Sequence, residues 1–101
     1  RSLLAHVVDL LGDDPALTTP RLFSGWSLRY ADEPVGMIVR GTVYAKAAPD
    51  VGEAWRALGS TPFTYTRGDR TITMAGYWSV PPDGLERGDA LRDYLGLPPD
   101  D

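Results

Sequence analysis

The strongest structural constraint in this sequence is the alternation of residue types between Pro62 and Met74. On both sides of Gly68-Asp69, large apolar side chains alternate with threonines, so an antiparallel pair would have one apolar face and one threonine face. Glycine at the first position of a two-residue loop favours a type II′ turn, whose twist suits the flanking strands. The pattern therefore predicts a β-hairpin in which Arg67 faces Arg70 and Phe63 faces Met74.

The hairpin also accounts for the tripeptide Arg-Gly-Asp at residues 67–69, which elsewhere serves as a cell-adhesion signal. Adhesion would need an extracellular protein, and no signal peptide is visible. We therefore interpret the tripeptide as a turn. The alternation then slips at Ala75-Gly76, which predicts a β-bulge, and Pro81-Pro82 should end the strand.

A second strand-like region runs from Phe23 to Lys46. Apolar and aromatic residues recur with a period of two at its start, and Arg40-Gly41 has the composition of a two-residue turn. Such a turn would set Val39 opposite Thr42. This region is predicted to be a meander of three antiparallel strands.

Two segments near the chain ends have the periodicity of amphipathic helices. Residues 3–11 repeat apolar side chains at helical spacing, with Ser2 as a plausible N-cap and Gly12 as a stop. Residues 88–95 form a shorter helix. Its predicted inward side chains are Ala90, Leu91, Tyr94 and Leu95.

A third helix is predicted between the meander and the hairpin. Asp50 and Glu53 have the spacing of a capping box, with aspartate in place of the usual serine or threonine, and Gly59 ends the segment. The predicted buried stripe consists of Val51, Ala54, Trp55 and Leu58.

These elements predict a two-layer α+β fold in the order α-β3-α-β2-α, with helices packed on a five-stranded antiparallel sheet. A chain of 101 residues has room for one core, so we expect a single domain over residues 1–101, with an acidic, proline-rich tail from about residue 96. The longest apolar run is far shorter than the ~20 residues of a membrane span, so no membrane association is expected.

Composition narrows the function classes. The net charge of −4 argues against direct nucleic-acid binding, whose affinity depends on lysine and arginine contacts to phosphates. The absence of cysteine excludes disulfides, zinc-thiolate sites and cysteine nucleophiles. No nucleotide-binding fingerprint is present.

Catalytic and metal-binding signals are weak. His6 is the single histidine, and the periodicity predicts it on the exposed face of its helix, solvated or paired with Asp9. No serine has the Gly-x-Ser-x-Gly setting of a nucleophile. Asp13-Asp14 and Asp100-Asp101 could hold a hard cation, but adjacent acids in loops and tails are usually solvated. We expect no enzyme activity, metal or cofactor.

Arginines and aromatics carry the stronger binding signals. Arg67 and Arg70 would lie side by side on one face of the hairpin, which could mark an anion or carboxylate site together with Arg21 or Arg29. Alternatively, both side chains extend into water or pair with Asp69 and the acidic tail. The aromatics are also too many for so small a core, so some should be exposed at an interface unless the core is unusually rich in large side chains. These aromatics are Trp26, Tyr30, Tyr44, Tyr77 and Trp78.

The segments "RLFSGWSLRY", "GMIVRGTVYAKA" and "GSTPFTYTRGDRTITMAGYWSVP" resemble the N-terminal domain of the TfoX/Sxy competence regulators over roughly residues 2–95. That family typically shows an Arg-Met-Phe-Gly-Gly motif, a Gly-Arg-Leu-Tyr-Leu-Lys-like strand, Pro-Phe-x-Tyr and Tyr-x-x-Val-Pro. The matching positions are Arg21, Leu22, Phe23, Gly25, Gly41, Val43, Tyr44, Lys46, Pro62, Phe63, Tyr65, Tyr77, Val80 and Pro81. The sequence departs from the pattern at Leu22 and Ser24.

The resemblance implies the α-β3-α-β2-α arrangement, similar to the type III secretion chaperone-like architecture. It also implies a role in bacterial transcription regulation, since the full-length regulators act in competence with the cyclic AMP receptor protein and carry a separate helical C-terminal domain. We therefore expect a cytoplasmic, non-enzymatic domain that forms a homodimer and acts through a protein partner, with a small-molecule or anion sensor as the alternative. The candidate interaction residues are Arg21, Phe23, Gly25, Trp26, Tyr44, Arg67, Arg70, Tyr77 and Trp78.

Overall fold

The computed structural model describes residues 2–99 and contains three α-helices packed against one antiparallel sheet. The helices are α1 (Leu3–Leu10), α2 (Pro49–Trp55) and α3 (Gly88–Leu95), with short 3₁₀ turns at Arg56–Leu58 and Pro82–Leu85. The strands are β1 (Leu17–Thr18), β2 (Arg21–Leu22), β3 (Gly25–Tyr30), β4 (Glu33–Val39), β5 (Thr42–Lys46), β6 (Pro62–Arg67) and β7 (Arg70–Ser79). The predicted α+β class is confirmed.

The sheet has seven strands in the described part of the chain, so the predicted number of five is wrong. The two additional strands, β1 and β2, have two residues each and lie before Phe23, where the predicted strand region begins. Two residues are too few to show a period-two pattern. Strands β1 and β2 are extended because each pairs with a different half of β3. Leu17 lies opposite Tyr30, and Arg21 lies opposite Trp26.

The strand order is β1-β3-β4-β5-β7-β6, with β2 pairing to β3. The predicted meander is formed by β3, β4 and β5, and Val39 lies opposite Thr42 as expected. Arg40 and Gly41 both have positive φ, the requirement of a type I′ hairpin turn. This part of the sheet therefore follows from local sequence.

The β6–β7 hairpin has the predicted register, with Arg67 opposite Arg70 and Phe63 opposite Met74. Gly68 has a positive φ and Asp69 does not, as a type II′ turn requires. The predicted bulge is also confirmed, because Pro62 pairs with Trp78 whereas the next residue of β6 pairs with Met74. The arginine–glycine–aspartate tripeptide is the tip of this hairpin.

The main core lies between one face of the sheet and helices α1 and α3. Ser2 caps α1 as predicted, since its hydroxyl accepts a hydrogen bond from the Ala5 amide at 3.1 Å. The core side chains are Val7 and Leu11 at the first helix, Leu28, Ile38, Val43, Ala45 and Val80 on the sheet side, and Leu91, Leu95 and Leu97 at the third helix.

Helix α2 differs from its prediction. Its N-cap is Ala48, which has no side-chain cap, so the expected capping box of Asp50 and Glu53 is wrong. Of the predicted stripe, Trp55 packs partly buried against the core, but Val51 is 44% exposed and Leu58 53% exposed, so the prediction is wrong for these two.

The buried residue of α2 is instead Gly52, which lies directly on the indole of Trp78. A glycine lets the helix approach the ring closely, and this close packing, rather than an apolar stripe, sets which face of α2 is turned inward. Among residues 2–99, no helix combines the length and apolar character needed to cross a membrane.

Candidate functional site

An apolar groove of about 610 Å³ lies on the sheet face opposite α1 and α3. Side chains alternate along β4, so Met37 and Val39 point away from the core that contains Ile38. No residue that lines the groove belongs to a helix. The lining residues are Leu22, Phe23, Ser24, Met37, Val39, Arg40, Phe63, Tyr65, Met74 and Tyr77.

The walls of the groove are held together by aromatic contacts and one arginine. Phe63 contacts Tyr44 edge to face at 5.0 Å and stacks on Tyr65 at 6.2 Å. The Arg40 guanidinium lies 5.8 Å from the Phe63 ring centre and donates a hydrogen bond to the Thr64 carbonyl at 3.2 Å. Arg40 therefore ties the β4–β5 turn to the β6–β7 hairpin across the groove.

Phe23 stands at the mouth of this groove and is 96% exposed. It occupies the first position of the two-residue turn between β2 and β3, with φ of 45°. This left-handed conformation is unfavourable for a bulky residue and is normally taken by glycine. The fold therefore gains neither burial nor favourable backbone geometry from Phe23. Strained backbone conformations of this kind are concentrated at functional sites.

The structure brings several predicted candidates to one face. Phe23 and Tyr77 line the groove, and Tyr44 supports it through Phe63. By strand alternation, Arg67 and Arg70 lie on the same face beyond Tyr65, and within residues 2–99 neither guanidinium has a hydrogen-bond or ion-pair partner.

The remaining candidates lie elsewhere. The Arg21 guanidinium is 4.7 Å from the Trp26 ring centre, and this pair lies on the helix-covered side of the sheet. Arg29 donates to the Asp32 carbonyl. Trp78 is 2% exposed beneath α2, so this side chain is not part of the surface.

Gly25 is buried at a close approach of strands, where a Cβ would overlap the Ile38 carbonyl. Its position indicates a structural rather than a contact role.

Sequence reasoning missed Arg40, which it treated only as a turn residue, and the two methionines of the groove. Alternation along β4 and β7 could have placed Met37 and Met74 on the face of Phe63, because the predicted register already paired Phe63 with Met74. The contact between Arg40 and the hairpin crosses from one turn to a distant strand. No sequence pattern reports such a contact.

His6 does not lie on an exposed face, so that prediction is wrong. The side chain is half-buried, and Nε2 donates a hydrogen bond to the Leu85 carbonyl at 2.7 Å. The ring thus connects α1 to the 3₁₀ turn before α3, because that turn packs against the helix face predicted to be polar.

The acidic pair Asp13-Asp14 also has a structural partner. Asp14 accepts hydrogen bonds from the Tyr30 hydroxyl at 2.9 Å, from Arg92 at 3.0 Å and from the Ala16 amide at 3.0 Å. Within residues 2–99, no three histidine, aspartate or glutamate side chains come close enough together to hold a metal ion. Asp100-Asp101 lies outside the described residues.

These bonds make a pH-dependent contribution to stability. The Ala16 amide, then Arg92 and Tyr30, hold the pKa of Asp14 below its ordinary value of 3.8. A carboxylate whose pKa is lowered by folding stabilises the native state above its unfolded pKa and loses that contribution as the pH falls.

We therefore expect Asp14→Asn to be less stable than the natural sequence at pH 7, with the difference shrinking as the pH falls below about 4. Urea unfolding followed by tryptophan fluorescence over a pH series measures this. A difference that is independent of pH would contradict the assignment.

Comparison with known proteins places these features in a family. The family profile described as the TfoX N-terminal domain matches residues 9–97, nearly the whole chain. A comparison with curated proteins finds no match. The matched range includes the meander, the hairpin and the groove, and it confirms the resemblance carried by the strand and turn motifs. The chain therefore belongs to the TfoX N-terminal domain family.

Proposed function

We propose that this chain is a non-enzymatic protein-interaction domain that acts in transcription regulation, in the bacterial cytoplasm, by binding a protein partner in its apolar groove. The observation that carries the proposal is Phe23, exposed and conformationally strained at the mouth of a groove that no helix residue lines. The family supports the regulatory setting, because full-length TfoX regulators act with another protein.

The composition of the groove supports binding of a protein. Exposed apolar patches bordered by polar residues mark interaction sites, and aromatic residues and methionine are enriched in the centres of interfaces. Three aromatic rings besides Phe23 line the groove, together with Met37 and Met74, of which Met74 is the exposed one. Flexible methionine side chains adapt to the shape of a partner.

Substitution of Phe23 separates binding from folding. Phe23→Gly should weaken partner affinity at least tenfold, because an aromatic side chain that acts as an interface hot spot contributes about 2 kcal/mol or more to binding. The same change should leave the free energy of unfolding unchanged or raise it by up to about 1 kcal/mol, because glycine adopts the left-handed conformation without strain.

The test starts with a pull-down from an extract of the native host, followed by calorimetry with the purified partner. Leu58→Ser is the matched control, since Leu58 is an exposed apolar residue outside the groove, and it should change affinity less than twofold. If no protein is retained, or if both variants bind as well as the natural sequence, the proposal fails. The predicted homodimer stays a prediction, which sedimentation over a range of concentrations would test.

A further inference from the structure

Charges are unevenly divided between the two layers of the domain. The strands and their turns, residues 17–46 and 62–79, carry six basic and three acidic side chains. The other described residues, which form the helical layer, carry nine acidic and three basic side chains. A protein with a net charge of −4 thus has a sheet layer of net positive charge.

Four of these six basic side chains lie in or beside the groove, namely Arg40, Lys46, Arg67 and Arg70. Arg40 lines it, and none of the residues that line it within the described chain is acidic. Arg67 follows Tyr65 by two residues on the same side of β6, which places its Cα about 7 Å further along the strand. Arg70 lies directly opposite Arg67, and Lys46 lies opposite the groove residue Tyr77.

We propose that the groove binds a peptide segment of a partner protein in which carboxylate side chains flank at least one large apolar side chain. This inference rests on the proposed function and specifies the chemistry of the partner. The apolar side chain occupies the space between Met37, Phe63 and Met74. The carboxylates pair with Arg40 at one position and with Arg67 and Arg70 at the end of the hairpin, where a planar guanidinium binds a carboxylate through two parallel hydrogen bonds.

Two other occupants fit this surface less well. A second copy placed groove to groove would bring together two surfaces that contain arginines and no acidic lining residue, and this lack of charge complementarity is unfavourable. A nucleic acid fits less well because the net charge of −4 repels phosphates. The groove between Arg40 and the hairpin tip is also lined mainly by apolar side chains and not by a run of cations.

Selection of random dodecapeptides displayed on phage, with the whole chain as bait, tests the inference without a known partner. We expect the enriched peptides to combine aspartate or glutamate with phenylalanine, tryptophan or leucine. Their affinity should fall at least tenfold in the Arg67→Glu, Arg70→Glu double variant, and it should also fall when salt is raised to about 0.5 M.

The matched control is the Arg56→Glu, Arg87→Glu double variant, which makes the same change in net charge in the helical layer and should alter affinity less than twofold. A second variant, Met74→Ser, should lower the affinity for the same peptides, while the preference for acidic over neutral peptides remains. Both double variants change exposed side chains. The control pair also loses surface ion pairs with Glu53, Asp83 and Asp89, but such exposed pairs contribute little to stability, so circular dichroism should show native folding for both variants.

Enrichment of neutral or basic peptides, or no enrichment, would overturn the proposed chemistry. It would also be overturned if a mixed-sequence single-stranded oligonucleotide bound more tightly than every selected peptide. If the native partner is retained and released by Phe23→Gly while acidic peptides are not selected, the charge inference fails and the proposed function stands. If acidic peptides bind but no native partner is retained, the proposed function fails and the inferred ligand chemistry of the groove stands.

Discussion

Replacing Gly25 by alanine is expected to lower the free energy of unfolding by about 3 kcal/mol, at the upper end of the usual cost of overpacking. The new methyl group would overlap the carbonyl oxygen of Ile38 and crowd the backbone of Val39. Backbone atoms of a central strand cannot move aside as the end of a flexible side chain can. Strands β3 and β4 would have to separate where the core begins. Urea unfolding followed by tryptophan fluorescence measures the change as a shift in midpoint at constant slope.

Gly76→Ala is the matched control for this prediction. Gly76 is also a strand glycine with an ordinary φ, but no atom outside its immediate neighbours lies within 4 Å of the position that a Cβ would take. The substitution should change stability by no more than about 0.5 kcal/mol. Equal losses in the two variants would show that the close approach at Gly25 is not the cause.

The second large effect is expected at Arg92, which is buried although it is charged. Its guanidinium donates to the carbonyls of Leu11 and Pro98, each at 2.9 Å, and pairs with the Asp14 carboxylate at 3.0 Å. Arg92→Met fills a similar volume but leaves these acceptors without their donor. Removal of one partner from a buried ion pair typically costs about 3 kcal/mol or more, and we expect a loss of that size.

A double-mutant cycle distinguishes loss of the ion pair from loss of packing. If the pair matters, Arg92→Met combined with Asp14→Asn should be less destabilising than the sum of the single changes, because the second change removes the unpaired charge. Arg92→Lys retains the charge but not the planar set of donors, so it should restore stability only in part. Additive effects, or a loss below about 0.5 kcal/mol for Arg92→Met, would contradict this account.

Gly25 and Arg92 lie outside the groove, but both hold in place the strands and helices that position it. Gly25 begins the strand that follows the Phe23 turn, and its close contact with β4 holds that turn beside the groove. Arg92 ties α3 to the end of α1 and to the loop that contains Asp14. The helical layer thereby remains on one face of the sheet.

The local parts of this architecture could be predicted from the sequence. The register of the β6–β7 hairpin follows from strict alternation around Gly68, and the β4–β5 register follows from the turn at Arg40-Gly41. The family was recognisable for the same reason, since its motifs consist of turn and strand residues close together in the chain. Short-range geometry determines such features, because a two-residue loop permits few backbone conformations.

The candidate site was predicted only in part. Tyr44 and Tyr77 were identified as aromatics in excess of what the core needs, and Phe23 was a candidate interaction residue from the family motif. The structure places all three around the groove. Trp78 belonged to the same set by composition, yet it is buried, because Gly52 allows α2 to lie on the indole. The amino-acid type alone cannot tell these two outcomes apart.

The sequence by itself determined the β4–β5 and β6–β7 hairpins with their registers, the cap of α1 and the membership of the family, because each depends on residues within a few positions of one another. Only the tertiary structure decided which sheet face the helices cover, and that Arg40 reaches the hairpin across a groove. It also decided that the buried Arg92 and the half-buried His6 donate to distant carbonyls. These contacts join residues 24 to 81 positions apart. They form only when the whole chain packs, since no local pattern encodes how a twisted sheet bends around its core.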